Sequence, residues 1–206
     1  MFLFEGKKHF TTALVRILAE LDKPRSITAI YEVKKQFVTE PSPVSADQPP
    51  KRYIKRSVRP LTAAESKHYT GNVLLKYEDG TSAFCILSKG TLDGMYERYA
   101  QPEVPGGSPL NVGSLLETGP YHAGKRDGIW HCPVKLAGIT KFSPRVNVQF
   151  KSGNFVEAQA RESFWAGTWY TIKANELKDF IEKYPGVTKV GSHAAGQRPN
   201  PQNTRG

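Results

Sequence analysis

The sequence predicts a mainly β protein: an antiparallel meander of hairpins with a helix at each end, an extended linker and a tail. Three observations carry this. Gly-containing turn pairs recur about every ten residues through 68–172, the rhythm of a meander rather than of βαβ units. Two segments hold an apolar stripe at helical spacing. Elsewhere, 18 Gly and 15 Pro in 206 residues disfavour long unbroken helices.

In chain order, residues 8–22 place Phe10, Leu14, Ile17, Leu18 and Leu21 on one helical face, with Thr11 or Thr12 as cap and Pro24 as stop. Residues 27–38 are rich in β-branched and aromatic side chains and predict a strand, a short helix being the alternative. Residues 39–66 predict a linker. Its first part, EPSPVSADQPP, has four Pro and no aromatic residue, so it cannot build a core. The run that follows, KRYIKRSVR, has five basic residues in nine and lies between Pro50 and Pro60. Strands are predicted at 73–77, 82–87, 94–99, 128–134, 146–150, 154–160 and 168–172, with turns at Asp79-Gly80, Lys89-Gly90, Asp93-Gly94, Asp127-Gly128 and Ser152-Gly153. Pro102 to Gly113 predicts a longer loop. The second helix is expected at 174–183, capped by Asn175 and ended by Pro185-Gly186, with Leu177, Phe180, Ile181 and Tyr184 on one face. The expected organisation is therefore 1–38, linker 39–66, sheet domain 67–173, helix 174–186 and flexible tail 187–206.

Charge narrows the function classes. There are 29 Lys and Arg against 19 Asp and Glu, a formal +10, and residues 1–60 supply six of the ten. Such an excess suits RNA, DNA or an anionic membrane surface, and equally solubility or an acidic protein partner. No uncharged stretch approaches the roughly 18 residues that a membrane span needs. The start, MFLFEGKKHF, resembles neither a secretory signal nor a transit peptide, so an intracellular location is expected. Two Cys rule out a disulfide-dense scaffold.

The candidate chemistry is sparse. His122, Asp127, His131 and Cys132 form the most reactive-looking cluster, but adjacent residues on a strand face opposite ways, which separates His131 from Cys132. Cys85, between Phe84 and Ile86, reads as a core thiol. No zinc spacing, Walker sequence or dinucleotide fingerprint is present, so no cofactor or metal and no enzymatic activity are expected. The basic run is the candidate polyanion site. Lys51, Arg52, Lys55, Arg56 and Arg59 would pair phosphates, and Tyr53 would stack on a base.

Two phrases repeat. Gly90-Thr91-Leu92-Asp93-Gly94-Met95-Tyr96 and Gly124-Lys125-Arg126-Asp127-Gly128-Ile129-Trp130 share Gly-x-x-Asp-Gly-apolar-aromatic, and Tyr69, Gly71, Tyr77, Asp79-Gly80 and Phe84 echo them upstream. This resembles MORN repeats, especially the variant of bacterial MORN-repeat proteins, over about 69–155. The phrases lie thirty-four residues apart, wider than the usual low twenties, and the 100–112 insertion accounts for part of that. Asp79-Gly80, Asp93-Gly94 and Asp127-Gly128 would form turns, while Tyr96, Tyr121, Trp130 and Phe155 would stack between hairpins. An exposed aromatic and Gly-rich sheet with a terminal helix, basic linker and polar tail as arms leads to the expectation of a non-enzymatic structural or adaptor subunit that binds other protein subunits. Basic extended proteins of this kind occur in ribonucleoprotein particles and organellar complexes such as those of the mitochondrion. An antitoxin-like or immunity-like binding module and a peripheral membrane-binding protein are the alternatives.

Overall fold

The structure is a computed structural model that describes residues 2–40, 51–102, 108–133, 145–161 and 169–187. Its elements are α1 (Phe2–Asp22), β1 (Ile27–Glu40), β2 (Lys51–Pro60), α2 (Ala63–Ser66), β3 (Gly71–Tyr77), β4 (Ser82–Ser88), β5 (Thr91–Tyr99), β6 (Leu115–His122), β7 (Lys125–Arg126), β8 (Gly128–Pro133), β9 (Arg145–Lys151), β10 (Asn154–Arg161), β11 (Trp169–Lys173) and α3 (Ala174–Lys183). The eleven strands form one antiparallel sheet in the order β11-β10-β9-β8-β6-β5-β4-β3-β1-β2, with the short β7 pairing β6. The expected fold class, mainly β with flanking helices, is the one observed.

Along the strands, alternate side chains face opposite ways. One face, called inner here, presents Val73, Cys85, Tyr96, Trp130, Val148, Ala158 and Ile172, all buried. They share a single core with Phe10, Ala13, Leu14, Ile17 and Leu21 of α1. Eight strands side by side at about 4.8 Å would span roughly 35 Å if flat, whereas one helix is about 10 Å across. Burial from β3 to β11 therefore requires the sheet to curl around α1. The helix needs this as much as the sheet does, since a lone helix of this length is marginal in water. At the other end of the path α3 closes the core with Leu177, and Lys7 Nζ donates to Glu176 Oε1 at 2.6 Å.

Several expectations need correction. The basic run is not a free linker: 51–60 is strand β2, paired with β1 over its whole length from Tyr31↔Pro60 to Glu40↔Lys51. An edge strand has one side in solvent, where a high density of Lys and Arg is tolerated and discourages edge-to-edge pairing. Strands β6 and β7 lie where no strand was expected. Helix α1 starts at Phe2, so Thr11 and Thr12 are internal, and their hydroxyls donate to the Lys7 and Lys8 carbonyls. The residue preceding α3 is Lys173 rather than Asn175, and its N–H donates to Glu176 Oε2. The tail at 188–206 and most of the Pro-rich stretch, 41–50, lie outside the described residues, as does 103–107 within the expected loop.

Of the five expected turns, Asp79-Gly80, Lys89-Gly90 and Ser152-Gly153 form where expected and the other two are displaced. Tight hairpins form at Lys89-Gly90, Ala123-Gly124 and Ser152-Gly153, each residue having φ between 48° and 88°, the left-handed pair of a two-residue hairpin. Gly94 and Gly128 also have positive φ, but Gly94 lies inside β5 and Gly128 opens β8. Thus Asp93-Gly94 and Asp127-Gly128 follow the turns instead of making them. Asp79-Gly80 is a true turn, in which Asp79 Oδ1 accepts from the Thr81 N–H at 2.9 Å.

Candidate functional site

The repeated phrases occupy equivalent places. The turn Gly of each hairpin donates its N–H to the carbonyl of the preceding unit: Gly90 to Tyr69 at 2.9 Å, Gly124 to Leu92 at 2.8 Å and Gly153 to Arg126 at 2.8 Å. Four residues after Gly90 and Gly124 come Gly94 and Gly128, and two residues further the inward Tyr96 and Trp130. These rings meet at 5.8 Å, with Tyr121 at 5.4 Å from Tyr96 and 5.1 Å from Trp130. Phe150, not Phe155, completes the cluster, 6.4 Å from Trp130. These repeat residues build the core rather than a surface site.

The basic residues divide. Arg59 is turned to structural use: its Nε donates to Glu32 Oε2 at 3.0 Å and its Nη1 to Glu65 Oε1 at 2.8 Å. Glu65 in turn accepts from the Thr62 N–H at 2.8 Å while Thr62 Oγ1 accepts from the Glu65 N–H, a capping box for α2. The Thr62 N–H first, and Arg59 next, hold the Glu65 carboxyl down at about 2. Arg59 is likewise the main cause that lowers Glu32. Arg56 lies opposite Lys35, on the outer face of the sheet. Lys55 and Arg56 are exposed and make no ion pair with a described residue. Lys51, Arg52 and Tyr53 belong to β2 by their backbone, and their side chains lie outside the described residues.

Arg56 and Lys35 border an outer-face groove of about 270 Å3 whose wall includes Phe84 and Tyr99. The Arg56 guanidinium lies 5.8 Å from the Phe84 ring centre, within cation–π range. Tyr99 meets Phe84 edge-on at 5.9 Å and donates its hydroxyl to Glu97 Oε2 at 2.9 Å. Burial first, and Glu97 second, push the Tyr99 phenol up to about 12. Beyond the groove an apolar row crosses the sheet. Ile86 follows the Cys85↔Tyr96 pair and so lies next to Met95, Met95 pairs with Pro120, and continuing Thr118↔His131 brings Pro120 opposite Ile129. Met95 and Ile129 are about half exposed, 51% and 52%.

Lys35, Phe84 and Tyr99 were not expected as site residues, Phe84 having been read only as part of the repeat. Their alternation within β1, β4 and β5 is visible locally, but only the strand register brings three distant segments to one groove. His131 and Cys132 do face apart: His131 Nδ1 is 2.7 Å from Asn147 Oδ1, while Cys132 is fully buried. Burial pushes both Cys85 and Cys132 thiols up to about 12, so neither is a ready nucleophile. No helix among the described residues is long and apolar enough to cross a membrane.

No protein-family model, curated protein or solved structure matches the chain.

Proposed function

We propose that this protein is a non-enzymatic adaptor subunit of a larger assembly, and that its outer sheet face meets RNA at one end and a protein neighbour along the apolar row. The observation that carries the reading is the groove in which the cations of Arg56 and Lys35 stand beside the rings of Phe84 and Tyr99. Cations that track phosphates beside aromatic platforms that stack bases are the two elements of sequence-tolerant single-strand binding. Glu97 in the same groove disfavours phosphate at its inner end, so the strand would cross nearer Arg56. Exposed Ile86, Met95 and Ile129 in one row suit a packed protein surface. The hairpin turns are bonded one to the next, each unit securing its turn on its neighbour, an arrangement that suits a row of repeated hairpins.

The test is fluorescence anisotropy of the full chain with a labelled oligouridylate in a salt series. Binding should weaken steeply with salt, by a slope of roughly −0.7 per phosphate contact. Lys35→Ala with Arg56→Ala should flatten that slope, and Phe84→Ala should weaken binding by about 1–3 kcal/mol. Absence of salt-dependent binding would remove RNA from the reading and leave the apolar row as the adaptor surface.

A further inference from the structure

Beneath the inner face, where the C-terminal end of α1 meets β3–β6, the core opens into a cavity of about 360 Å3. This is within the usual size of small-molecule sites. Its apolar wall includes Leu75, Leu87 and Leu92, and Tyr77, Tyr96 and Tyr121 bring their rings to it. The Tyr77 and Tyr96 hydroxyl oxygens are 3.1 Å apart. Burial pushes the Tyr77 phenol up to about 12 and raises Tyr96 as well, so both carry their protons. Two hydroxyls bonded to each other use one proton. The second is left to donate, and no other described group accepts it.

The mouth is cationic. Lys23, Arg25, Lys67 and Arg126 line it with a single carboxylate, Glu117. Arg25 pairs with Glu20 and Asp79, Arg126 with Asp22, and Glu117 with Arg98. Counting the lining groups and these partners, five cations stand against four carboxylates. Lys23 and Lys67 make no ion pair with a described residue. The Arg126 Nε is buried with no hydrogen-bond acceptor among the described residues, and the Arg25 Nε, on a side chain only 8% exposed, reaches the Asp79 carboxylate only at 3.5 Å. Buried donors of this kind ordinarily have partners.

We propose that this cavity binds a small amphiphilic monocarboxylate, its head held among Lys23, Arg25 and Lys67 and its apolar body laid between Leu92 and the tyrosine rings. Lys23 and Lys67 supply the positive charge for an anionic head. The apolar wall selects a chain or ring over a free inorganic ion. The spare tyrosine proton suits a carboxylate oxygen. This site is on the opposite side of the sheet from the RNA groove, so the two readings stand or fall separately.

The experiment titrates decanoate into the full chain by calorimetry, with decanol as the neutral counterpart and inorganic phosphate as the anion without a body. Decanoate should bind one to one and at least about tenfold more tightly than either. Lys23→Gln with Lys67→Gln should weaken it about tenfold, with the melting temperature and oligouridylate binding unchanged. Leu92→Trp should fill the cavity and abolish binding. If that variant does not fold, amide shift changes on the wild-type chain decide: they should centre on Leu75, Leu92 and Tyr96. Equal binding of decanol, no decanoate binding by the folded chain, shift changes confined to the outer face, or lysine variants that bind as tightly as wild type would each overturn the proposal.

Discussion

The indole of Trp130 lies against the bare α-carbon of Gly119 on the neighbouring strand, so close that a methyl group at 119 would clash with the ring. Trp130 is fully buried, and its Nε1 donates to the Pro120 carbonyl at 3.0 Å. Trp130→Ala should cost about 3–5 kcal/mol. Gly119→Ala should also destabilise, because the ring must move. The two should couple in a double-mutant cycle by urea denaturation, since each changes the space of the other. Simple additivity would show that the residues do not share that space.

Beside them, Arg98 of β5 donates Nε and Nη2 to the two oxygens of Glu117 on β6, at 3.0 and 3.3 Å, with both side chains 1% exposed. Removing one partner leaves a buried charge, so Arg98→Met should cost about 3–5 kcal/mol. Adding Glu117→Leu should restore much of that loss. A double variant as unstable as the single one would mean that packing of the Arg98 stem, not its charge, matters.

Acid should loosen the corner where Arg59, Thr62 and Glu65 meet. Glu65 titrates from its ordinary value near 4.5 down to about 2 in the folded chain. A carboxyl held low favours its charged form, so its contribution is complete above about 4.5 and fades as the pH falls towards 2. An NMR titration should show the Glu65 carboxyl and the Thr62 amide shifting together in that window. Arg59→Ala should move the midpoint upward. A midpoint unchanged by this substitution would leave the Thr62 backbone and hydroxyl as the cause.

The thiols of Cys85 and Cys132, raised to about 12 by burial, should resist iodoacetamide at pH 8, where almost no thiolate forms. Labelling should track unfolding in a denaturant series. Fast labelling of the native chain would reveal local opening of β4 or β8.

Much of the architecture is local and therefore visible in the sequence. Helix α3 was legible because its apolar face and its stop, Pro185-Gly186, lie within a dozen residues. Strands β3, β4, β9 and β10 were legible because Gly turn residues punctuate them. The stretch 51–60 was not, since its Lys and Arg residues make sense only at a sheet edge, and the edge exists only once β1 pairs with it. Strand β6 was hidden by Gly119-Pro120, which break the strand pattern; the glycine is there for the Trp130 ring. Nothing local marks Arg98 and Glu117 as a buried pair; only the register sets them opposite each other under α1. Turn chemistry, helical periodicity and strand alternation were thus determined by the sequence itself. Which charges are buried, which rings meet and where the groove and cavity open were decided by the tertiary structure, because each depends on residues from separate strands brought together when the sheet closes on its helix.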